Sequence, residues 1–320
     1  MKYPYLIIFL VFISCQGPAV KLVAIHKTKI DSLVTEEQVK QFLVSTDAYY
    51  ENFTVMKAGD YRDTHSDSLF CKSIADSLKI DKSFYKADFD QNGYTDLLVS
   101  GNQYSFGVLV IMNHAKNKYT TTYLSGDAWR NSSFPKLDSI EGIPVIDYSF
   151  KTPRRYHDTT SCVSLTKTTL IYRFGGFVEY NAAPVQHVIS KVDYEAFGCW
   201  GTAPVFKMTV AMSGKGLLDA IDNNKDGKSL ELKGKYSGTI KSTQYEQLTE
   251  LLNYINFTNL LNDYSIWVSD MPEGVLKITY DDGKTIVIDD YGMQGTYGLQ
   301  RVYGLLEELR FNQVWKKQVS

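Results

Sequence analysis

Between residues 87 and 101 the chain reads ADFDQNGYTDLLVSG, with three carboxylates and an amide spaced around one glycine ahead of an apolar run. Counted from Asp88, side-chain oxygens fall at positions 1, 3 and 5 as Asp88, Asp90 and Asn92, the carbonyl of Tyr94 at 7, and Asp96 at 9. Hard dications take six to eight oxygens at short range, and a chain supplies several of them from consecutive residues only by curling around the ion through a glycine. Gly93 stands at the turn. The spacing therefore predicts one Ca2+ bound by Asp88, Asp90, Asn92, Tyr94 and Asp96. Without an ion the same residues would make an acidic β-turn.

At position 12, where a helix-loop-helix calcium site carries a bidentate glutamate, this chain has Val99 inside the apolar run. Phe84 to Asp90 followed by Asp96-Leu97-Leu98-Val99 instead resembles the loop-then-strand unit of FG-GAP and related repeats of extracellular β-proteins. That resemblance implies a structural ion. One such unit is present, which does not support a many-bladed propeller. A second acidic stretch, Asp222 to Gly227, has Leu230 at position 9 and Lys225 within the loop, and is read as a hairpin turn.

Other chemistry is hard to assemble. His26, His65, His114, His157 and His187 are isolated, and neither a His-Glu-x-x-His motif, a Gly-x-Ser-x-Gly motif nor a phosphate-cradling glycine loop occurs. Asp281-Asp282 and Asp289-Asp290 are adjacent carboxylates, but neighbours on a strand point to opposite faces, so they are read as turn and strand-end residues. The 23 tyrosines, grouped at Tyr49-Tyr50, Tyr119 to Tyr123 and Tyr291 to Tyr303, are either partly buried β-sheet residues or the lining of a protein or carbohydrate surface.

The N-terminus sets the expected location. Met1 to Ser14 reads MKYPYLIIFLVFIS, one lysine and then an apolar run, followed by Cys15 and the polar Gln16-Gly17-Pro18. This is the pattern of a secretion signal, and it is shorter than the roughly 20 apolar residues of a membrane span. Cysteine after a small residue at the end of such a segment resembles the lipobox of bacterial lipoproteins, which implies lipidation at Cys15. A plain cleaved signal is the other reading. Removing residues 1–14 takes Lys2 from the 34 basic side chains and leaves 33 against 36 acidic ones, a formal charge of −3. With no basic stripe and no Lys/Arg-rich block, nucleic acid is excluded as a partner. Cys71, Cys162 and Cys199 allow one internal disulfide, for which Cys71–Cys162 is the expected pair.

The elements that must position these groups follow from periodicity. Thr35-Glu36-Glu37-Gln38 forms a capping box, with Val34 and Val39 able to staple across it and Val39, Phe42, Leu43, Thr46, Tyr50 and Phe53 on one helical face. A second amphipathic segment spans residues 66–79, and strands are expected at 97–99, 107–112, 119–124, 143–150 and 168–180. After Asn181-Ala182-Ala183-Pro184 the order changes to strands at 188–194, 206–212 and 230–236, a helix opened by Thr243 to Glu246, a hairpin of 275–280 with 285–289, and a helix over 297–310. The expected class is α+β in two domains. A signal peptide occupies 1–14, a tether 15–34, an α+β domain with the calcium-type loop 35–184, and a β-β-β-α-β-β-α domain 185–320.

The second half resembles a bacterial domain family of unknown function found in secreted proteins and lipoproteins, with a Cys-Phe-Gly-x-Cys-Pro-x-Tyr motif. Here that stretch is Cys199 to Phe206, with Gly234-Lys235-Tyr236, Asn256-Phe257 and Asp290-Tyr291-Gly292 completing the pattern. Ala203 replaces the second cysteine, so a Cys-x-x-x-Cys couple cannot operate. The resemblance implies an envelope location and no activity. The functional expectation is a non-catalytic cell-envelope lipoprotein, held to the membrane by its lipid anchor, that presents a surface to a protein or glycan. An envelope hydrolase whose site assembles only in three dimensions is the alternative.

Overall fold

The first helix begins where its capping box places it. In the computed structural model, which describes residues 26–61, 68–125, 133–151, 165–198, 203–228, 230–266 and 268–318, α1 spans Glu36–Thr46. The Thr35 hydroxyl accepts from Gln38 N, and the Gln38 side chain accepts from Thr35 N. The staple differs from expectation. Val34 is 74% exposed, and Leu33 is the residue buried with Val39 in the core beneath α1.

That core rests on a five-stranded antiparallel sheet of β1 (Thr54–Val55), β2 (Phe84–Ala87), β3 (Asp96–Asn102), β4 (Phe106–Asn113) and β5 (Tyr119–Tyr123). Leu97, Val99, Leu109 and Ile111 face α1, while Leu98, Val108, Val110 and Met112 face the other way. Both faces are covered, which is why β3 and β4 read as unbroken apolar runs rather than alternating ones. The covering layer is a four-stranded sheet of β6 (Ser133–Ile140), β7 (Ile143–Lys151), β8 (Leu165–Arg173) and β9 (Gly176–Glu179). Helix α2 (Ser68–Leu78) joins the core between these sheets through Cys71 and Ala75.

The last unit is an eight-stranded sheet. It contains β10 (Ile189–Phe197), β11 (Val205–Ala211), β12 (Lys215–Asp222), β13 (Gly234–Thr239), β14 (Asp263–Ser265), β15 (Glu273–Tyr280), β16 (Lys284–Tyr291) and β17 (Val314–Lys317). Their spatial order is β14-β16-β15-β10-β11-β12-β13-β17. Helices α3 (Ser242–Tyr254) and α4 (Tyr297–Asn312) share its core through Leu248, Leu251, Leu252, Leu299, Val302 and Leu306. The fold is mixed and predominantly antiparallel β, compatible with the α+β class. Among the described residues, no helix is long and apolar enough to cross a membrane.

Several boundaries move. The segment read as a tether is packed from His26 onward, because Ile30 and Leu33 fill the core under α1 and the Lys86 amine donates to the carbonyls of Asp31 and Leu33. The stretch 168–180 is a hairpin, turned at Phe174 and Gly175, both at positive φ. In the second half the order is β-β-β-β-α-β-β-β-α-β. Leu230 to Leu232 lie outside the strand that begins at Gly234, and Lys215–Asp222 forms the strand that pairs with it. Helix α3 starts at Ser242, one residue before Thr243, so the expected cap lies inside its first turn. The boundary at 184/185 is not a gap in the core, since Val145, Ile171 and Val178 pack in one cluster with α3 and α4.

Candidate metal centre

Ala87 pairs with Asp96 across β2 and β3, so Asp88 to Thr95 form the connection of a hairpin. The connection is wound tightly by its own side chains. Asp88 accepts from Asn92 N at 3.0 Å and from Gly93 N at 2.8 Å, and the Asn92 carbonyl oxygen Oδ1 accepts from Tyr94 N at 2.8 Å. Gly93 has φ +87°, the left-handed region that glycine enters without a Cβ clash. Gln91, at φ +55°, is the exposed residue that carries the other left-handed step.

Asp96, at the start of β3, is fully buried. Its Oδ2 accepts from Phe89 N at 2.8 Å and its Oδ1 from Asn113 N at 2.7 Å. Burial outweighs those hydrogen bonds and pushes the carboxyl up to about 7, with Asp90 and Asp88 adding like charge. Burial also raises Asp90, followed by repulsion from Asp88. Oxygens of Asp88, Asp90 and Asp96 lie within 4.8 Å of one another. No lysine or arginine among the described residues forms an ion pair with any of the three.

The donor set fits a hard dication. Three carboxylates converge with lone pairs left over, and a +2 charge would offset the burial and the lesser mutual repulsion that raise two of them. Asn92 is placed differently from the expected ligand role: its Nδ2 donates to Asp90 Oδ2 at 3.0 Å and to the Asn113 carbonyl at 2.9 Å. Turning the amide about would present its oxygen to the same carboxylates' ion. Tyr94 stacks its ring on His26, with centroids 4.7 Å apart, and Gly93 O accepts from His26 N.

Two supports of the loop had no local signal. Asn113 lies at the far end of β4 and reaches the loop only through sheet register, and Phe89 packs edge-on against Phe177 of β9 at 5.5 Å. The second acidic stretch behaves as the hairpin turn expected of it. Asn224 Oδ1 accepts from the guanidinium of Arg310 at 3.0 Å, and Arg310 also pairs with Glu307, so a side-chain cation already occupies the middle of that loop.

The remaining candidates resolve individually. Asp281 accepts from the imidazole of His187 and from Val188 N, while His187 Nε2 is buried without a partner and its ring meets Phe257 and Tyr280. Asp289 and Asp290 do face opposite ways, and Asp290 is 1% exposed. One residue before the end of β16, Asp290 accepts from Gln294 N, Gly295 N and the Tyr303 hydroxyl and so shapes the approach to α4. Cys71 is buried. Cys15, Cys162 and Cys199 lie outside the described residues.

Residues 190–310 match the family model of a domain of unknown function, DUF6438. The match covers most of the eight-stranded sheet together with α3 and α4. No curated protein and no solved structure matches the chain.

Proposed function

We propose that the protein is a non-catalytic lipoprotein of the cell envelope, anchored through Cys15, whose first half is clipped by one structural calcium ion and which presents a binding surface to a protein or glycan. The observation that carries this reading is the triad of Asp88, Asp90 and Asp96, which forms no ion pair with a lysine or arginine among the described residues and is closed on its buried side by Phe89 N and Asn113 N. A centre walled by main chain and hydrogen-bonded to it holds a loop in shape. Asp88, Asp90 and Asp96, with the carbonyl of Tyr94 and the amide of Asn92, would hold the ion, and the ion would supply charge balance. The one His–carboxylate ion pair among the described residues, His187 with Asp281, has its ring against those of Phe257 and Tyr280, which weighs against the hydrolase alternative.

Calcium that binds only the folded chain raises stability by mass action, by about 2.7 kcal/mol at a hundredfold excess over Kd. Millimolar calcium should therefore raise the melting temperature by several degrees over the chelated protein, and Asp88→Ala should abolish the rise. Identical melting curves with calcium and with chelator in the unmodified protein would reject the site. Cys15→Ala should move the protein from the membrane to the soluble fraction. Retention of that variant in membranes would mean a different anchor.

A further inference from the structure

A recess of about 580 Å3 opens between the last turn of α1 and the β4–β5 turn, lined by Lys29, Phe42, Thr46, Asn117, Lys118 and Tyr119 together with Ser45. Its size falls in the range of small-ligand sites, roughly 300–1,000 Å3. Its charge is one-sided. The nearest acidic groups along the chain are not in its lining and are engaged elsewhere, Asp31 by Thr28 and Thr95 and Asp47 by Tyr49 N. The Lys29 amine lies over the Phe42 ring at 5.6 Å and donates to Ser45, and the Lys118 amine makes no ion pair or hydrogen bond among the described residues. Lys191 and Lys207, by contrast, are paired with Asp193 and Glu195.

The turn that carries Lys118 is strained. Ala115, Lys116 and Asn117 stand at φ +72°, +50° and +60°, a left-handed run that glycine would adopt without cost and that side chains adopt only when the surroundings impose it. His114 N to Lys118 O and Lys118 N to Ala115 O close it at 2.8 and 2.9 Å. From the recess, Tyr119, Thr121 and Tyr123 follow one another on the same face of the edge strand β5. Tyr119 meets Phe42 edge-on, and the Tyr50 hydroxyl lies 3.1 Å from Thr121 Oγ1 and 2.9 Å from the Tyr123 hydroxyl. Tyr123 and Tyr49 are each about half exposed.

We infer that this recess and the tyrosine row bind an acidic oligosaccharide, its carboxylate or other anionic group between Lys29 and Lys118 and its sugar rings along Tyr119 and Tyr123. The inference rests on the binding-module reading above and names its ligand. Ser45 and Thr46 donate their hydroxyl protons to the carbonyls of Phe42 and Leu43, so toward a ligand in the recess their oxygens can only accept, and Ser45 Oγ already takes one bond from Lys29 Nζ. Sulfate offers such acceptors nothing and inorganic phosphate only its one or two acid hydroxyls, whereas a sugar bearing an acid group offers several hydroxyl donors and a charge together. Tyrosine rings give flat contact area at low entropy cost.

The test is retention of the purified full chain on a panel of uronate-, sialate- and phosphate-bearing oligosaccharides and their neutral counterparts, with inorganic phosphate and phosphatidylglycerol vesicles as competitors. Retention should be confined to acidic sugars, weaken with salt, and fall at least tenfold in Lys29→Gln/Lys118→Gln at an unchanged melting temperature. Tyr123→Ala should lower it severalfold. Equal retention of neutral sugars, full displacement by inorganic phosphate, preference for the vesicles, or indifference to the lysine changes would each overturn the inference. If the panel stays blank while crosslinking in intact envelopes still recovers a partner, the recess loses its role and the binding-module reading stands. Loss of the calcium response alone leaves the recess untouched.

Discussion

Asp96 and Asp290 are one device used twice: a buried carboxylate at or next to a strand end that gathers backbone N–H groups, Asp96 from Phe89 of its loop and Asn113 at the end of β4, Asp290 from Gln294 and Gly295 of the loop that follows. Burial raises both above the usual carboxylate range. They differ in company, because Asp96 faces two more acids whereas Asp290 also accepts from the Tyr303 hydroxyl. For Asp290 the linkage has a definite sign. A carboxyl whose folded-state value lies above its unfolded one binds its proton more tightly when folded, so its contribution is fully present below the unfolded value and is lost as pH rises through the folded one. Asp290→Asn should therefore be less stable than the unmodified protein, with the gap in melting temperature widest below the ordinary carboxyl value of 3.8 and narrowing as pH rises above it. A gap that stays constant, or widens with pH, would contradict this assignment.

At the scale of elements, α4 starts on a carboxylate borrowed from the first half. Glu179, the last residue of β9, accepts from Tyr297 N at 2.7 Å and Gly298 N at 2.9 Å, and Thr296 accepts from Leu299 N at 3.0 Å. These contacts satisfy N–H groups that have no partner within the helix and place negative charge at the positive end of its dipole. The helix comes close enough to do so because residue 298 is glycine; a Cβ there would sit 2.5 Å from Ile255 Cγ2. Glu179→Ala should cost about 1–2 kcal/mol in urea unfolding, and Glu179→Gln less than half of that. Equal stability of the alanine variant would show that water caps the helix as well.

The whole molecule is layered: α1, the five-stranded sheet, the four-stranded sheet, the helices α3 and α4, and the eight-stranded sheet. The four-stranded sheet belongs to two cores at once. Ile146, Tyr148 and Leu170 pack toward β3 and β4, and Val145, Ile171 and Val178 pack toward α3 and α4. Tyr297, from the matched family region, crosses into the first half, where its hydroxyl donates to Leu124 O at 2.6 Å. Separating the halves would expose these side chains, at about 1.5–3 kcal/mol for each large one. Calorimetry of the full chain should show one cooperative transition, and the isolated segment 185–320 should melt well below it. Two independent transitions, or a fragment as stable as the whole, would mean that the shared layer contributes little.

The contrast between what was legible in the sequence and what was not follows the range of the interactions involved. Thr35 with Gln38 announces α1, the apolar spacing from Leu299 to Leu309 announces α4, and Asp281-Asp282-Gly283 announces its hairpin, because each signal and its partner lie within a few residues. The acidic loop is legible for the same reason: Asp88, Asp90 and Asp96 are brought together by their own nine-residue turn. Strands β2, β6, β14 and β17 were not, since short or half-polar edge segments acquire their conformation from neighbours distant in the chain, and neither was β12, a half-polar interior strand paired on both sides. Nor could the sequence place Asn113 over Asp96, Arg310 inside the loop at Asn224, or Lys29 across a recess from Lys118. Local spacing determined which groups cluster within one turn. Sheet register and layer packing, which join residues separated by tens or hundreds of positions, decided what closes over them.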